Sequence, residues 1–412
     1  MSGLAFTQAP APVLPMRFLL AAQAWGVIAG LWLAWQGELV LASRWTPATL
    51  VLVHMLALGL LGNAMLGSLV QFLPVAAASP MPGQRGVPWL QATFNTGVVL
   101  LLLALATPLR WPAPAATVLL GGSLAAFALL ALVALWRGNG ERAVRDGIGM
   151  AVLALLATLA LGLVLLAARS GWHAPVSPGL VNLHAIVGGV GWVLGLLVAV
   201  GSVTLPMLQG ARAIPPSWLR GAQAAVLATL AIAAATWSGL LPDATWRGMA
   251  IPFALFATGV LLAQARTQYQ RNPLLRRFWR WGGIALLGGG TAALLPGGQV
   301  LLVGALVLGL GLPLLVVGMA LEITGFLTWI ALRQRVARGT RVPGVGSLFD
   351  EAAKRRVLHA HLLAAALLLP AVFVPAFSGI AGIALAVAHA LGLHAQWRCW
   401  RQVHHGFPAA SG

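Results

Sequence analysis

Long apolar stretches follow one another along the whole chain, and they constrain its fold more than any other feature. About twelve of them have the roughly 20 residues that a helix needs to cross a bilayer. They lie at 15–36, 47–74, 87–107, 113–136, 147–168, 179–207, 217–240, 247–265, 278–296, 301–332, 356–375 and 378–397. In lipid every backbone N–H and C=O must be paired within the protein, which a continuous helix achieves. The sequence therefore predicts an all-α membrane bundle of about twelve transmembrane helices.

Charged residues are too rare for a soluble protein of this length. Only 8% of the 412 residues are charged and 60% are hydrophobic, whereas about 25% of a soluble domain is charged. The net charge of +18 is spread between the apolar runs and forms no continuous patch that would follow a phosphate backbone. A soluble enzyme and a nucleic-acid-binding protein are therefore excluded, and the lipid bilayer is the first expected partner.

The basic residues lie mostly on alternate connections between the spans. Of the 25 Lys and Arg residues, 21 lie on one side and four on the other. By the positive-inside rule, this split predicts a multi-pass protein of a bacterial inner membrane with both termini in the cytoplasm. The predicted organisation is a cytoplasmic tail at 1–14, a single transmembrane domain at 15–397 and a second cytoplasmic tail at 398–412.

The second and sixth spans resemble each other. Each has a histidine near its start, glycines through its middle and a proline near its end, with His54 followed by Pro74 and His184 followed by Pro206. The two histidines are 130 residues apart, with four spans from one to the next. The tenth span matches only in part, since it has no histidine, and its Gly311-Leu-Pro313 string predicts a kink or a re-entrant break. The pattern predicts three four-helix units in a pseudo-threefold arrangement.

His54 and His184 are the main candidate metal ligands. With the amino terminus inside, each lies one to two turns below the outer face, which is roughly 7–10 Å at ~1.5 Å per residue. Two imidazoles at similar depth on related helices could ligate a haem iron or a copper ion. An ionisable residue inside a membrane is costly and usually has a function. The alternative is that each ring only donates a hydrogen bond to a neighbouring backbone carbonyl.

Other polar residues inside the spans have simpler interpretations. His359 and His361 follow the basic cluster that begins at Lys354, so we interpret them as part of an interfacial group that meets anionic lipid headgroups. His389, in the middle of the last span, is interpreted as a core histidine with satisfied hydrogen bonds. Glu322 is the only acid well inside a span. It predicts a polar or proton-accepting site, since a buried carboxyl is either neutral or paired.

These features together resemble subunit I of the haem–copper oxidases and nitric oxide reductases. The segment 318–329 is also similar to a G-M-x-x-x-x-x-P-F-x-x-W stretch of divergent oxidase-like membrane proteins, including NnrS-type nitric-oxide-response proteins, with Gly325 in place of the proline. The resemblance implies a haem, b-type, and/or copper as cofactor. It places His54 at the position of a low-spin haem ligand and His184 at that of a copper ligand, and it implies other respiratory membrane subunits as partners.

The chain also departs from that family. The family has an H-x-H in span ten and a histidine pair in span seven, but 301–332 and 217–240 contain no histidine. The only tyrosine, Tyr269, lies in a predicted cytoplasmic loop, so no redox tyrosine is expected near copper. We therefore expect a redox or sensing role linked to respiration or nitric oxide rather than proton-pumping oxygen reduction. Two alternatives are a small-solute transporter that uses Glu322, and an assembly or scaffold subunit of a respiratory complex.

Overall fold

The protein is an all-helical bundle in the computed structural model. Within the part of the chain that the structure describes, every regular element is a helix and no strand occurs. Tyr269 and the residues after His405 lie outside this part. The described ranges are 5–172, 174–267, 270–295, 299–336 and 342–405.

In the described ranges twelve long helices form the bundle, and we number them α1 to α12 in chain order. Eleven are long and apolar enough to cross a membrane, which confirms the predicted polytopic helical membrane protein; the exception is α9. Shorter helices lie at Phe6–Gln8, Glu38–Ala42 and Val345–Leu348. The long helices are Val13–Gln36, Pro47–Ala77, Gln84–Ala106, Pro112–Arg137, Arg142–Arg169, Pro178–Gln209, Pro216–Trp237, Asp243–Ala265, Pro273–Ala292, Val300–Arg335, Glu351–Phe373 and Pro375–His404.

Helix α9 differs from the predicted ninth span because of its arginines. It begins at Pro273, five residues before the predicted start at 278. Arg276 and Arg277 lie in this added part, and Arg280 follows within the predicted span. The guanidinium of Arg276 is buried, and it donates a hydrogen bond to the backbone oxygen of Gln264 in α8 at 2.9 Å. The start of α9 therefore forms a polar contact with α8. With these arginines, the composition of α9 alone does not identify this helix as a membrane span.

Four of the long helices contain a π-helical segment. Three of these segments lie in α2, α6 and α10, the helices of the predicted repeat, at Met55–Gly62, Val187–Leu194 and Ala305–Gly311. The fourth is Thr117–Gly121 in α4. Such segments are rare in proteins and occur frequently at functional sites.

The ends of α2 and α6 are also alike. In both helices a proline, Pro74 or Pro206, lies twelve residues after the π segment. In both, a residue in the left-handed conformation then ends the helix, Ala78 in α2 and Gly210 in α6, and its N–H is bonded to the proline's backbone oxygen. These local features support the predicted relation between spans two and six, while the threefold arrangement of the whole bundle stays a prediction.

Helix α10 crosses the bundle without a re-entrant break. It is continuous from Val300 to Arg335, so the re-entrant alternative at Gly311-Leu-Pro313 is wrong. Pro313 has no N–H and would leave a carbonyl one turn earlier without its helical partner. The π segment Ala305–Gly311 ends just before this proline, where its wider hydrogen-bond spacing accommodates the missing donor.

Glycines bring neighbouring helices into backbone contact. A Cβ built on Gly30 of α1 would lie 2.3 Å from the backbone nitrogen of Ala386 in α12, and one on Gly382 would lie 2.3 Å from that of Ala34. Helices α1 and α12 are therefore packed against each other without intervening side chains, as small residues allow within membranes. This close approach brings the polar residues of α1 next to those of α12.

Candidate metal site

The structure brings together the two histidines that the sequence singled out. The ring centroids of His54 in α2 and His184 in α6 are 6.4 Å apart, with 22° between the ring planes. Both side chains are half-buried and lie near the end of the bundle at which α2 and α6 begin. Residues 130 positions apart in sequence therefore form one site, which we call the α2–α6 pair.

One nitrogen of each ring is held by a backbone carbonyl. His54 Nδ1 is 2.7 Å from the oxygen of Leu50, and His184 Nδ1 is 3.2 Å from the oxygen of Thr158 in α5. A carbonyl oxygen only accepts, so each Nδ1 carries the proton and each Nε2 is left as the basic nitrogen. The carbonyl bonds expected under the simpler interpretation are thus present. They also orient the rings as in metal sites, where the second nitrogen binds the metal.

A glycine in α5 leaves space beside one of the two imidazole rings. A Cβ on Gly162 of α5 would lie only 3.1 Å from His184 Cε1, so a larger residue there would press on the imidazole.

Near the same end of the bundle, Arg44 Nη1 donates a hydrogen bond to Asn182 Oδ1 at 2.8 Å. This contact connects the segment before α2 to the first turns of α6. Burial lowers the pKa of the Arg44 guanidinium from its usual value.

The ring separation suits a metal ion shared by both histidines. With metal–nitrogen bonds of about 2.0–2.1 Å, two imidazoles on opposite sides of one metal have ring centres about 6 Å apart. The 6.4 Å between His54 and His184 is close to that spacing. In the part of the chain that the structure describes, no group of three or more His, Cys, Asp or Glu side chains is placed to hold a metal ion. The pair would thus supply two nitrogens, a number that Cu(I) accepts.

The fit to a haem is poorer than the fit to an ion. Glycines near the histidines can leave space for a macrocycle or allow close helix packing. The structure favours packing: a Cβ on Gly59 would lie 2.7 Å from the ring of Trp25, and one on Gly62 would lie 3.2 Å from Phe94. In α6, a Cβ on Gly191 would lie 2.8 Å from Ala154 of α5. A flat macrocycle between these helices would have to displace packed neighbours.

Glu322, the predicted polar site, forms a buried ion pair. Its Oε1 is 2.6 Å from Nζ of Lys354 in α11, and the two side chains are 12% and 9% exposed. The interfacial interpretation of Lys354 is therefore wrong, although Arg355 and Arg356 are exposed. A carboxylate and an ammonium offset each other's charge inside the bundle. Glu322 is thus engaged in a contact between α10 and α11.

The interfacial interpretation of the H-x-H segment is wrong for one of its two histidines and stays a prediction for the other. His359 is exposed, but His361 is 4% exposed and its ring centroid is 4.8 Å from that of His389. Residues two apart on a helix point to nearly opposite sides, so the segment cannot act as one surface unit. The core interpretation of His389 is correct for its burial and for Nδ1, which contacts Gln23 Oε1 at 2.9 Å. Its Nε2 has no hydrogen-bond partner in the part of the chain that the structure describes.

Sequence reasoning missed a buried amide network between α1, α2 and α3. Trp25 Nε1 donates to Asn95 Oδ1 at 2.7 Å, and Asn63 Nδ2 donates to the same oxygen at 2.9 Å. Asn95 Nδ2 donates in return to Asn63 Oδ1 at 3.1 Å. An amide in the middle of each of two apolar spans was the available signal, since such groups need a partner in lipid. The network fastens the helix that bears His54 to its neighbours.

The chain matches no known protein family, and no curated protein is similar to it. The interpretation of the α2–α6 pair therefore depends on its own geometry and chemistry.

Proposed function

We propose that this chain is an integral membrane metalloprotein in which His54 and His184 together bind one metal ion. We assign it a redox or sensing role linked to respiration or nitric oxide. Copper is the metal that suits the pair best, and haem iron is the alternative. The observation that supports the proposal is the 6.4 Å approach of two imidazoles whose Nδ1 atoms are already held by carbonyls.

The protein's own groups would prepare the pair for a cation. The carbonyls of Leu50 and Thr158 fix the rings with the basic nitrogens free, which also raises the basicity of the ligand. Neutral imidazoles avoid the cost of an unpaired ion in the apolar bundle before the metal arrives. A bound copper would supply one-electron redox chemistry and an open position for a small ligand such as nitric oxide. The half-buried rings leave that position accessible.

The proposed role does not extend to oxygen reduction with proton pumping. Helices α7 and α10 contain no histidine, so the further ligands of the oxidase family's binuclear centre have no counterpart there. Glu322, the only acid well inside a span, is paired with Lys354 and is not free to relay protons. The same ion pair weakens the support for a small-solute transporter that uses Glu322, because this carboxylate is engaged with Lys354.

The location and partners of the protein belong to the same proposal. The 21-to-4 split of basic residues supports a bacterial inner membrane with both termini in the cytoplasm. In the proposed orientation the α2–α6 pair lies near the periplasmic face. Other respiratory membrane subunits are the proposed protein partners. A purely structural role as an assembly or scaffold subunit is the remaining alternative.

The test is metal analysis of the full-length protein purified in detergent. We expect copper, or iron with a Soret absorption band, in the wild type, and its loss in the H54A/H184A variant. H394A is the matched control, since His394 is exposed, and it should keep the wild-type metal content. A wild-type protein that contains neither metal and takes up neither copper nor haem would contradict the proposal and favour the scaffold alternative.

A further inference from the structure

A second pair of histidines lies in the middle of the bundle, apart from the α2–α6 pair. His361 of α11 and His389 of α12 are 4% and 0% exposed, and their rings are at 82° to each other with centroids 4.8 Å apart. Gln23 of α1, which is 1% exposed, contacts the second of these rings. We call this group the α11–α12 pair. Two imidazoles sealed inside an apolar bundle are costly unless they have partners.

Each ring of this pair has one nitrogen satisfied and one unsatisfied. His361 Nδ1 is 2.9 Å from the backbone oxygen of Val357, and His389 Nδ1 is 2.9 Å from Gln23 Oε1. These oxygens accept hydrogen bonds from the protonated Nδ1 atoms, so each Nε2 is the basic nitrogen. Both Nε2 atoms are fully buried and have no hydrogen-bond partner among the described residues, so the two rings are not hydrogen-bonded to each other. A shared ligand would satisfy both at once.

The separation of the rings suits a metal ion as that ligand. Two imidazoles that bind one metal at a tetrahedral angle, with bonds of about 2.0–2.1 Å, have ring centres about 5 Å apart. The observed separation is 4.8 Å. The hydrogen bonds to Val357 and Gln23 correspond to the outer contacts that orient histidines at metal centres. Phe278, whose ring centroid is 6.5 Å from that of His361, adds an apolar side that excludes water.

We propose that His361 and His389 bind a Cu(I) ion through their Nε2 atoms, with Gln23 as a positioning residue. Imidazole nitrogen suits copper, and a monovalent ion costs less to bury among neutral ligands than a divalent one. Glu322, the only described acid well inside a span, is already paired with Lys354, so a divalent ion would lack a compensating charge. This site is independent of the proposed function at His54 and His184.

The experiment is a Cu(I) titration of the full-length protein in detergent against a chromophoric Cu(I) chelator, under reducing conditions. If both pairs bind, the wild type should withdraw about two ions per chain and H361Q/H389Q about one. H359Q is the matched control, because His359 lies on the same helix but is exposed, and it should match the wild type. An H361Q/H389Q protein that binds as much Cu(I) as H359Q would overturn the proposal.

A second arm keeps the test valid if H361Q/H389Q does not fold. The H54Q/H184Q variant leaves the α11–α12 pair intact, and it should still bind about one Cu(I) ion. X-ray absorption of that bound ion should show imidazole nitrogen scatterers. If H54Q/H184Q binds no Cu(I) while remaining monodisperse and helical, the proposal for the α11–α12 pair fails. If the wild type binds only about one Cu(I) ion and H54Q/H184Q binds the same amount, the proposed function at His54 and His184 fails instead.

Discussion

The two histidine pairs of this bundle use the same local device in different surroundings. In both, each Nδ1 is bonded to an oxygen and each Nε2 is left free of hydrogen bonds to described groups. The α2–α6 pair is half-buried, with nearly parallel rings 6.4 Å apart. The α11–α12 pair is buried, with perpendicular rings 4.8 Å apart.

If both pairs bind a metal as proposed, the difference predicts two coordination geometries at two levels of access. The wider, nearly parallel pair suits a metal between two opposed nitrogens, and its exposure would let a small ligand reach it. The narrower, perpendicular pair suits a metal at a bent angle that is closed to solvent. We therefore expect exchange and ligand binding at the α2–α6 pair, and retention of the metal at the α11–α12 pair.

The largest loss of stability is expected from breaking the ion pair that lies about two turns from the α11–α12 pair. Lys354 lies seven residues, or about two turns, before His361 on α11, and its partner Glu322 is on α10. K354M leaves a buried carboxylate unpaired, which should destabilise the protein by about 3–5 kcal/mol. Denaturant unfolding followed by circular dichroism measures this. The E322M/K354M double variant is the control and should recover most of the loss; a single variant as stable as the wild type would contradict the buried pair.

A smaller effect is expected from crowding the α11–α12 pair. A Cβ on Gly26 would lie 2.3 Å from Cγ of His389, near the base of that ring. G26A should therefore move the imidazole and destabilise the protein by about 1–3 kcal/mol, with loss of Cu(I) from this pair only. G259A is the matched control, since a Cβ there meets nothing within 4 Å. Equal stability and Cu(I) content in the two variants would show that the ring has room to move.

The same substitution beside the α2–α6 pair should have the smallest effect on stability. A Cβ on Gly162 would lie 3.1 Å from His184 Cε1, which a small ring shift can relieve. The gain of about 0.5–1 kcal/mol from replacing a helical glycine by alanine should offset most of the strain in G162A. Metal affinity at this pair should fall, as measured by competition with a chelator, while G259A keeps it. A large loss of stability in G162A would show that this site is as closed as the other.

Much of the fold was predictable because lipid imposes a simple rule. Each apolar stretch of about 20 residues must form a helix, and eleven of the predicted spans meet that description in the structure. Composition identifies the ninth span less clearly, because Arg276 lies within helix α9 and is buried by a contact with α8. No local pattern in the sequence identifies the partner of such an arginine.

The two histidine pairs show which contacts could be predicted from the sequence and which could not. His54 and His184 could be linked because both occupy the same place in a repeated span, and the repeat relates their positions. His361 and His389 are not related by a repeat, and the basic residues that precede His361 suggested that it lies at the membrane interface. The partner of Lys354 lies 32 residues away on another helix, so the sequence around Lys354 gave no sign of the ion pair. Contacts between unrelated helices depend on packing angles that local patterns do not contain.

The central claim is that His54 and His184 share a single metal, and the most direct measurement compares the metal content of H54Q, H184Q and the double variant. If both rings ligate one ion, each single variant should lose about as much metal as the double variant, since neither ring holds the ion tightly alone. In the arrangement of the haem–copper oxidases, the two positions serve different metals. Loss of iron alone from H54Q and of copper alone from H184Q would therefore contradict the shared site.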